Sequence, residues 1–98
     1  MLVEFVVAAG RKEQGRSWVR VDDARAAERG EGAPPAAADI TFTVTPADAQ
    51  ALHDGDLDLT VGFMRGQVKM AGDFGAVLHF LPLTHGAPPA LAAGDLLP

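Results

Sequence analysis

The stretch Ile40-Thr41-Phe42-Thr43-Val44-Thr45-Pro46-Ala47-Asp48 decides how this chain is read. Over its first six residues apolar and threonine side chains alternate strictly. That places Ile40, Phe42 and Val44 on one face of a strand and the threonines on the other. At Thr45 the period changes. A threonine cap, a proline at the first helical position and an acid near the positive end of the helix dipole predict a helix from Pro46 to about His53, stopped by Gly55.

Toward the N-terminus, Leu2 to Ala8 and Ser17 to Asp22 are two alternating or β-branched runs around a polar turn from Gly10 to Gly15, which reads as a hairpin. Residues 24–38 are rich in Ala, Gly and Pro, and Pro34-Pro35 enforces an extended connector. A short strand around Ala26–Arg29 fits its first part.

Toward the C-terminus, the pattern predicts a helix from about Leu57 to Arg65, ended by Gly66. Leu57, Val61 and Met64 share one face of it, with Leu59 and Phe63 beside them. Gly62 inside that helix costs about 1 kcal/mol relative to alanine, which points to a close backbone approach. Gln67 to Ala71 alternates as a strand. Asp73 caps a last helix with Phe74, Val77, Leu78 and Leu81 at i, i+3, i+4 and i+7, and Pro82 ends it. The expected architecture is α+β: a four- or five-stranded, mostly antiparallel sheet with short helices packed on one face. Residues 1–85 form a single domain, and 86–98 an irregular Pro/Ala-rich tail.

Ninety-eight residues make one small domain, burying roughly 60–70% of its unfolded surface. Net charge is −5 and uneven: residues 1–30 carry six basic and five acidic side chains, residues 31–98 two basic and eight acidic. Nucleic-acid binding needs a basic patch that displaces counterions from phosphate. The cations that could offer one, from Arg11 to Arg29, are interleaved with acids and read as a solvated face, so no nucleic-acid partner is expected. With no cysteine, disulfides, thiolate zinc sites and cysteine nucleophiles are excluded. The apolar opening, interrupted by Glu4, is too short to span a bilayer and has no basic region before it. A cytoplasmic protein without stable membrane insertion is expected.

Catalytic and metal motifs are weak. Asp54, Asp56 and Asp58 match the first ligands of a calcium loop, but Leu59 replaces its sharp-turn glycine and Arg65 its bidentate acid. These acids read as helix-capping or solvated groups. His53, His79 and His85 show no helical ligand spacing. Gly62 and Gly66 make no phosphate loop. Ser17, the sole serine, lies in a strand without a nucleophile elbow. No catalytic residue, metal or cofactor is expected, and the chain reads as a non-enzyme.

From Asp39 to Leu81 the pieces ADITFTVTPADA, DGDLD, FMRGQVKMAGD and GAVLHF resemble the sterol carrier protein type 2 domain. The similarity extends over roughly residues 3 to 83, and Phe63-Met64-x-Gly66 followed by Gly72-Asp73 is its most specific part. The resemblance implies a lipid-transport fold that shelters a sterol, fatty acid, acyl-CoA or similar apolar molecule between sheet and helices. Its interior would be lined by Phe42, Val44, Phe63, Met64, Met70, Val77, Leu78 and Leu81. Read singly, each of these side chains is equally well ordinary core. Family members usually carry a sizeable helix before the first strand, and this chain begins at that strand. Either a second copy of the chain or the tail from Pro88 to Leu97 must then cover the sheet, and a homodimer is favoured. The alternative function is a structural or dimerisation module whose apolar face meets protein and takes no ligand.

Overall fold

The computed structural model describes residues 1–86 and 88–98; Ala87, within the predicted tail, lies outside the described residues. Strands β1 (Leu2–Ala9) and β2 (Lys12–Asp22) form the expected antiparallel hairpin, and β3 (Arg25–Glu31) continues it. The turn into β3 has Asp23 and Ala24 at φ 50° and 62°. Positive φ at both central residues is the hairpin geometry that matches the natural twist of the strands. Strand β4 (Ile40–Val44) lies parallel to β1, and β5 (Lys69–Gly72) closes the sheet antiparallel to β4. The order is β3-β2-β1-β4-β5, a mixed sheet of five strands.

Because β3 and β4 both run parallel to β1, the chain must cross a face of the sheet between them. Three strand spacings are about 14 Å, and the eight intervening residues can reach about 26 Å, so one extended segment suffices. Gly32 N–H donates to the Arg16 carbonyl at its start, and Asp39 N–H to that of Leu2 at its end, each at 2.8 Å. Pro35, Ala36 and Ala37 pass beside Leu2, Trp18 and Arg20 on the face opposite the helices. Strand β1 is central and covered on both sides, so Glu4 and Val6 on this outer face are buried as well. The Glu4 carboxylate accepts from Arg16 Nη1 at 3.2 Å and from Thr41 Oγ1 at 3.1 Å, which compensates its burial. The Arg16 guanidinium is held above its ordinary pKa, first by its hydrogen bond to Glu13 and then by the charge of Glu4.

Helix α1 (Pro46–Asp54) follows the sequence pattern: Thr45 Oγ1 accepts from Asp48 N–H at 3.2 Å, and Gly55 ends the helix at φ 80°. Helix α2 (Leu59–Met64) starts two residues later than the spacing predicts. The Asp58 carboxylate accepts from Thr60 N–H at 2.9 Å, so the cap falls at Asp58 and Leu57 stays outside. Leu59 and Gly62 are its buried residues, and Met64 points away from the core. A Cβ on Gly62 would stand 2.9 Å from Val68 Cγ2, the close approach its position implies. Helix α3 (Phe74–Thr84) is capped by Asp73 as expected, but Pro82 lies inside it. The one helical bond proline forfeits is to the carbonyl of Leu78, on the exposed side of the last turn, so the helix continues to Thr84.

Ile40, Phe42 and Val44 face the helices, in the predicted register. Phe42 stacks on Phe5 at 5.6 Å between ring centroids, and Phe80 of α3 closes on both at 5.8 and 6.2 Å. Val3, Val19, Leu59, Val68 and Val77 complete this fully buried centre. The tail is part of the core. Leu91, Ala93, Leu96 and Leu97 are buried, the last turn forming α4 (Ala93–Leu96). Ser17 Oγ donates to the Leu96 carbonyl at 2.6 Å and Leu91 N–H to the Leu83 carbonyl at 2.8 Å, while Arg29 reaches the carbonyl of Asp95. Of the two covers expected for the sheet, the tail occupies the helix-side face beside β2.

Candidate apolar ligand site

Helix α3 is apolar around most of its circumference, and the sheet can bury only one side of it. Val77, Phe80, Leu81 and Thr84 turn inward. Phe74 and Leu78, four residues apart on the other side, remain 57% and 60% exposed. Beside them α2 ends on Met64, which is 80% exposed, and on Phe63, which packs partly against the core. Between the two helices lies a groove of about 390 Å³ lined by Thr60, Phe63, Met64, Leu78, Leu81, Pro82 and His85. Its size falls within the range of small-molecule clefts.

The polar groups near the groove are few. The Thr60 hydroxyl is buried without a hydrogen-bond partner. His85, which caps α3, sets Nδ1 2.5 Å from Asp58 Oδ2, so one carboxylate both starts α2 and ties it to the end of α3. Asp54 of the same aspartate-rich stretch accepts from Gln50 Nε2 at 3.0 Å. Among the described residues, no cluster of three or more His, Cys, Asp or Glu is placed to hold a metal ion.

The structure divides the eight candidate lining residues. Phe63, Met64, Leu78 and Leu81 converge on the α2–α3 groove. Phe42, Val44 and Val77 lie in the packed core, where the three-phenylalanine cluster fills the space between sheet and helices. Met70, opposite Phe42 on the edge strand, is half-buried against that core. Met64 and Leu78 therefore face outward, because α2 lies beside α3 and does not cover it. Sequence reasoning passed over Thr60, Pro82 and His85. The spacing Phe74, Leu78, Pro82, a second stripe at i, i+4 and i+8, was the available signal for an outward apolar face.

Comparisons with known proteins agree with this fold. A palmitated sterol carrier protein 2-like 2 from Aedes aegypti superposes with a TM-score of 0.68 at 16% identity, covering 87% of this chain and 72% of that one. The apo sterol carrier protein 2 of Yarrowia lipolytica gives 0.58 at 21% identity, over 82% and 65%. The sec-alkylsulfatase Pisa1 of Pseudomonas sp. also matches, at 0.56 and 21% identity, over 83% of this chain but only 12% of its own. This chain thus spans about two thirds of the carriers' length and a small part of the sulfatase. No curated protein sequence matches it. The model of the SCP-2 sterol transfer family matches residues 5–84, and the chain belongs to that family.

Proposed function

We propose that this domain is a non-enzymatic carrier of an apolar, lipid-like molecule, a sterol, fatty acid or acyl-CoA, held at the groove between α2 and α3. The observation that carries the reading is the groove itself: about 390 Å³ and walled by Phe63, Met64, Leu78 and Leu81, whereas the wider hollow of about 510 Å³ beside α4 also has Asp58, Thr84 and His85 in its lining. The family's name and the palmitated Aedes relative point the same way. In this reading Phe63, Met64, Leu78 and Leu81 touch the ligand. Val77, Phe42 and Val44 lie behind them as the floor a longer chain reaches by parting α2 from α3, and Met70 borders that floor at the sheet edge. Methionine suits such a wall because its unbranched thioether repacks around ligands of different shape. A cytoplasmic location belongs to this reading.

A ligand that binds only the folded state stabilises it by mass action, about 2.7 kcal/mol at a hundredfold excess over Kd. Long-chain fatty acid or acyl-CoA should therefore raise the melting temperature, and organic extracts of the purified protein should contain lipid by mass spectrometry. Phe63→Ala should shrink the shift, while Arg11→Ala, remote from the groove, should leave it. A panel of apolar ligands without any shift, together with lipid-free extracts, would reject the carrier. The second reading, a homodimerisation module, rests on the exposure of Met64, Phe74 and Leu78. It requires a dimer by light scattering that Leu78→Asp dissociates.

A further inference from the structure

His85 lines the α2–α3 groove and also the hollow of about 510 Å³ beside the start of α2, the end of α3 and the tail, so both spaces border one imidazole. Their linings differ in chemistry. The groove is walled almost wholly by apolar side chains, and the Thr60 hydroxyl within it is buried. The hollow adds Asp58 and Thr84 to His85, and each of these three side chains offers an acceptor. The Asp58 carboxylate accepts from Thr60 N–H at 2.9 Å and faces His85 Nδ1 at 2.5 Å. The Thr84 hydroxyl spends its proton on the Leu81 carbonyl at 2.8 Å. A carboxylate only accepts, so Nδ1 carries the ring proton, and in the neutral imidazole Nε2 is then an acceptor. Among the described residues neither lining contains a Lys or Arg. Arg65 caps the opposite end of α2, and Lys69 lies on β5.

We propose that groove and hollow form one site for an amphiphile whose head donates hydrogen bonds and carries no negative charge, such as a long-chain alcohol or a monoacylglycerol. This rests on the carrier reading and narrows its ligand class. The chain lies along Phe63, Met64, Leu78 and Leu81, and the head hydroxyl donates to His85 Nε2 where the two spaces meet. A fatty-acid carboxylate brings acceptors to a place that already holds acceptors, and its charge meets that of Asp58. An acyl-CoA brings phosphates, whose usual binders are Arg and Lys, and no such side chain lines either space. Anionic lipids therefore bind through their chains alone, more weakly than an alcohol of equal length. One like charge about 10 Å away, at an effective dielectric near 20, imposes roughly a tenfold loss of affinity. Asp58 is thus a selector as well as a cap: it fixes the ring proton of His85 and repels anionic heads.

The test is displacement of an uncharged, apolar fluorescent probe from the full chain at about pH 8, above the range in which histidine ordinarily titrates, in salt that screens the net charge of the molecule. Dodecan-1-ol, 1-monolaurin, laurate and lauroyl-CoA share one chain, so differences in Kd belong to the head. The two hydroxyl ligands should bind about tenfold more tightly than laurate, and lauroyl-CoA no more tightly than laurate. Asp58→Asn keeps the cap of α2, since asparagine caps helices as well as aspartate does, and should bring laurate most of the way to dodecan-1-ol. His85→Lys, at an exposed side chain, should invert the order. Equal Kd for laurate and dodecan-1-ol in the wild type, an order unchanged in both variants, or a laurate affinity that falls in Arg65→Gln would overturn the proposal. Binding of all four ligands without discrimination between heads refutes the selectivity alone. Displacement by none of them refutes the carrier, and this inference with it.

Discussion

The two sides of α3 carry similar residues and have opposite fates. Toward the sheet, Val77, Phe80 and Leu81 are buried against Phe5 and Phe42. Away from it, Phe74 and Leu78 keep more than half their surface in water. Hydrophobicity does not separate the two sides; the length of the neighbouring element does. Helix α3 has eleven residues, about 16 Å, while α2 has six, about 9 Å. The shorter helix cannot roof the longer one, and the uncovered remainder is the groove and the exposed patch. The inner side builds the fold, and the outer side is left uncovered.

The strongest way to break this comparison is to truncate the inner stripe. Phe80→Ala removes the ring that bridges Phe5 and Phe42 at a fully buried site, and should cost about 3–5 kcal/mol. Against a total of about 5–15 kcal/mol for a small domain, urea denaturation should show a large loss of midpoint. A loss below 1 kcal/mol would mean that the phenylalanine cluster is not the packed centre described.

The tail supplies the next effect. Leu96→Ala removes a buried side chain whose carbonyl also accepts from Ser17, and should cost about 2–5 kcal/mol, toward the lower end because α4 is a single turn. If the tail were only loosely laid on the sheet, the same substitution would leave the urea midpoint unchanged. A second copy of the chain would then again be the better cover.

Gly62 gives a smaller, two-signed effect. A methyl there gains about 1 kcal/mol of helix propensity but presses on Val68 Cγ2 at 2.9 Å and Leu57 Cδ2 at 3.3 Å, and overpacking costs about 1–3 kcal/mol. Gly62→Ala should destabilise by up to about 2 kcal/mol. In the Val68→Ala background the penalty should vanish, and a double-mutant cycle in urea would read this coupling.

Much of the fold was legible because local chemistry and tertiary structure agree in it. The alternation at Ile40–Val44 set the register, and Thr45 and Asp73 cap the helices they were expected to cap. The misreadings are places where one local rule met another. Leu57 fits a helical face, but the Asp58 carboxylate reaches Thr60 N–H first and moves the start. Pro82 looked like a terminator, but it forfeits only its own bond to the exposed Leu78 carbonyl, and the helix runs two residues further. The site was less legible. Spacing identifies Leu78 and Val77 equally as apolar, and which of them faces a ligand depends on how far α2 extends alongside α3. The docking of the tail was hidden for a related reason: Ala, Pro and Leu without period carry no register, and their burial is set by the space the sheet leaves.

The least disruptive substitution tests the comparison most selectively. Leu78→Ala lies on the exposed stripe of α3, where it buries little and where alanine is the better helix former, so stability should stay within about 0.5 kcal/mol of wild type. If the outer stripe is the ligand wall, the same change enlarges the groove opposite Phe63 and Met64 and should reduce the fatty-acid melting shift. Val77→Ala, one residue away but fully buried, should act first on the fold: a clear loss of stability in the absence of ligand, larger than any change in the melting shift. Melting curves of both variants, with and without ligand, separate the two roles. Should Leu78→Ala destabilise the apo protein as much as Val77→Ala does, the stripe is core after all, and the groove closes in solution.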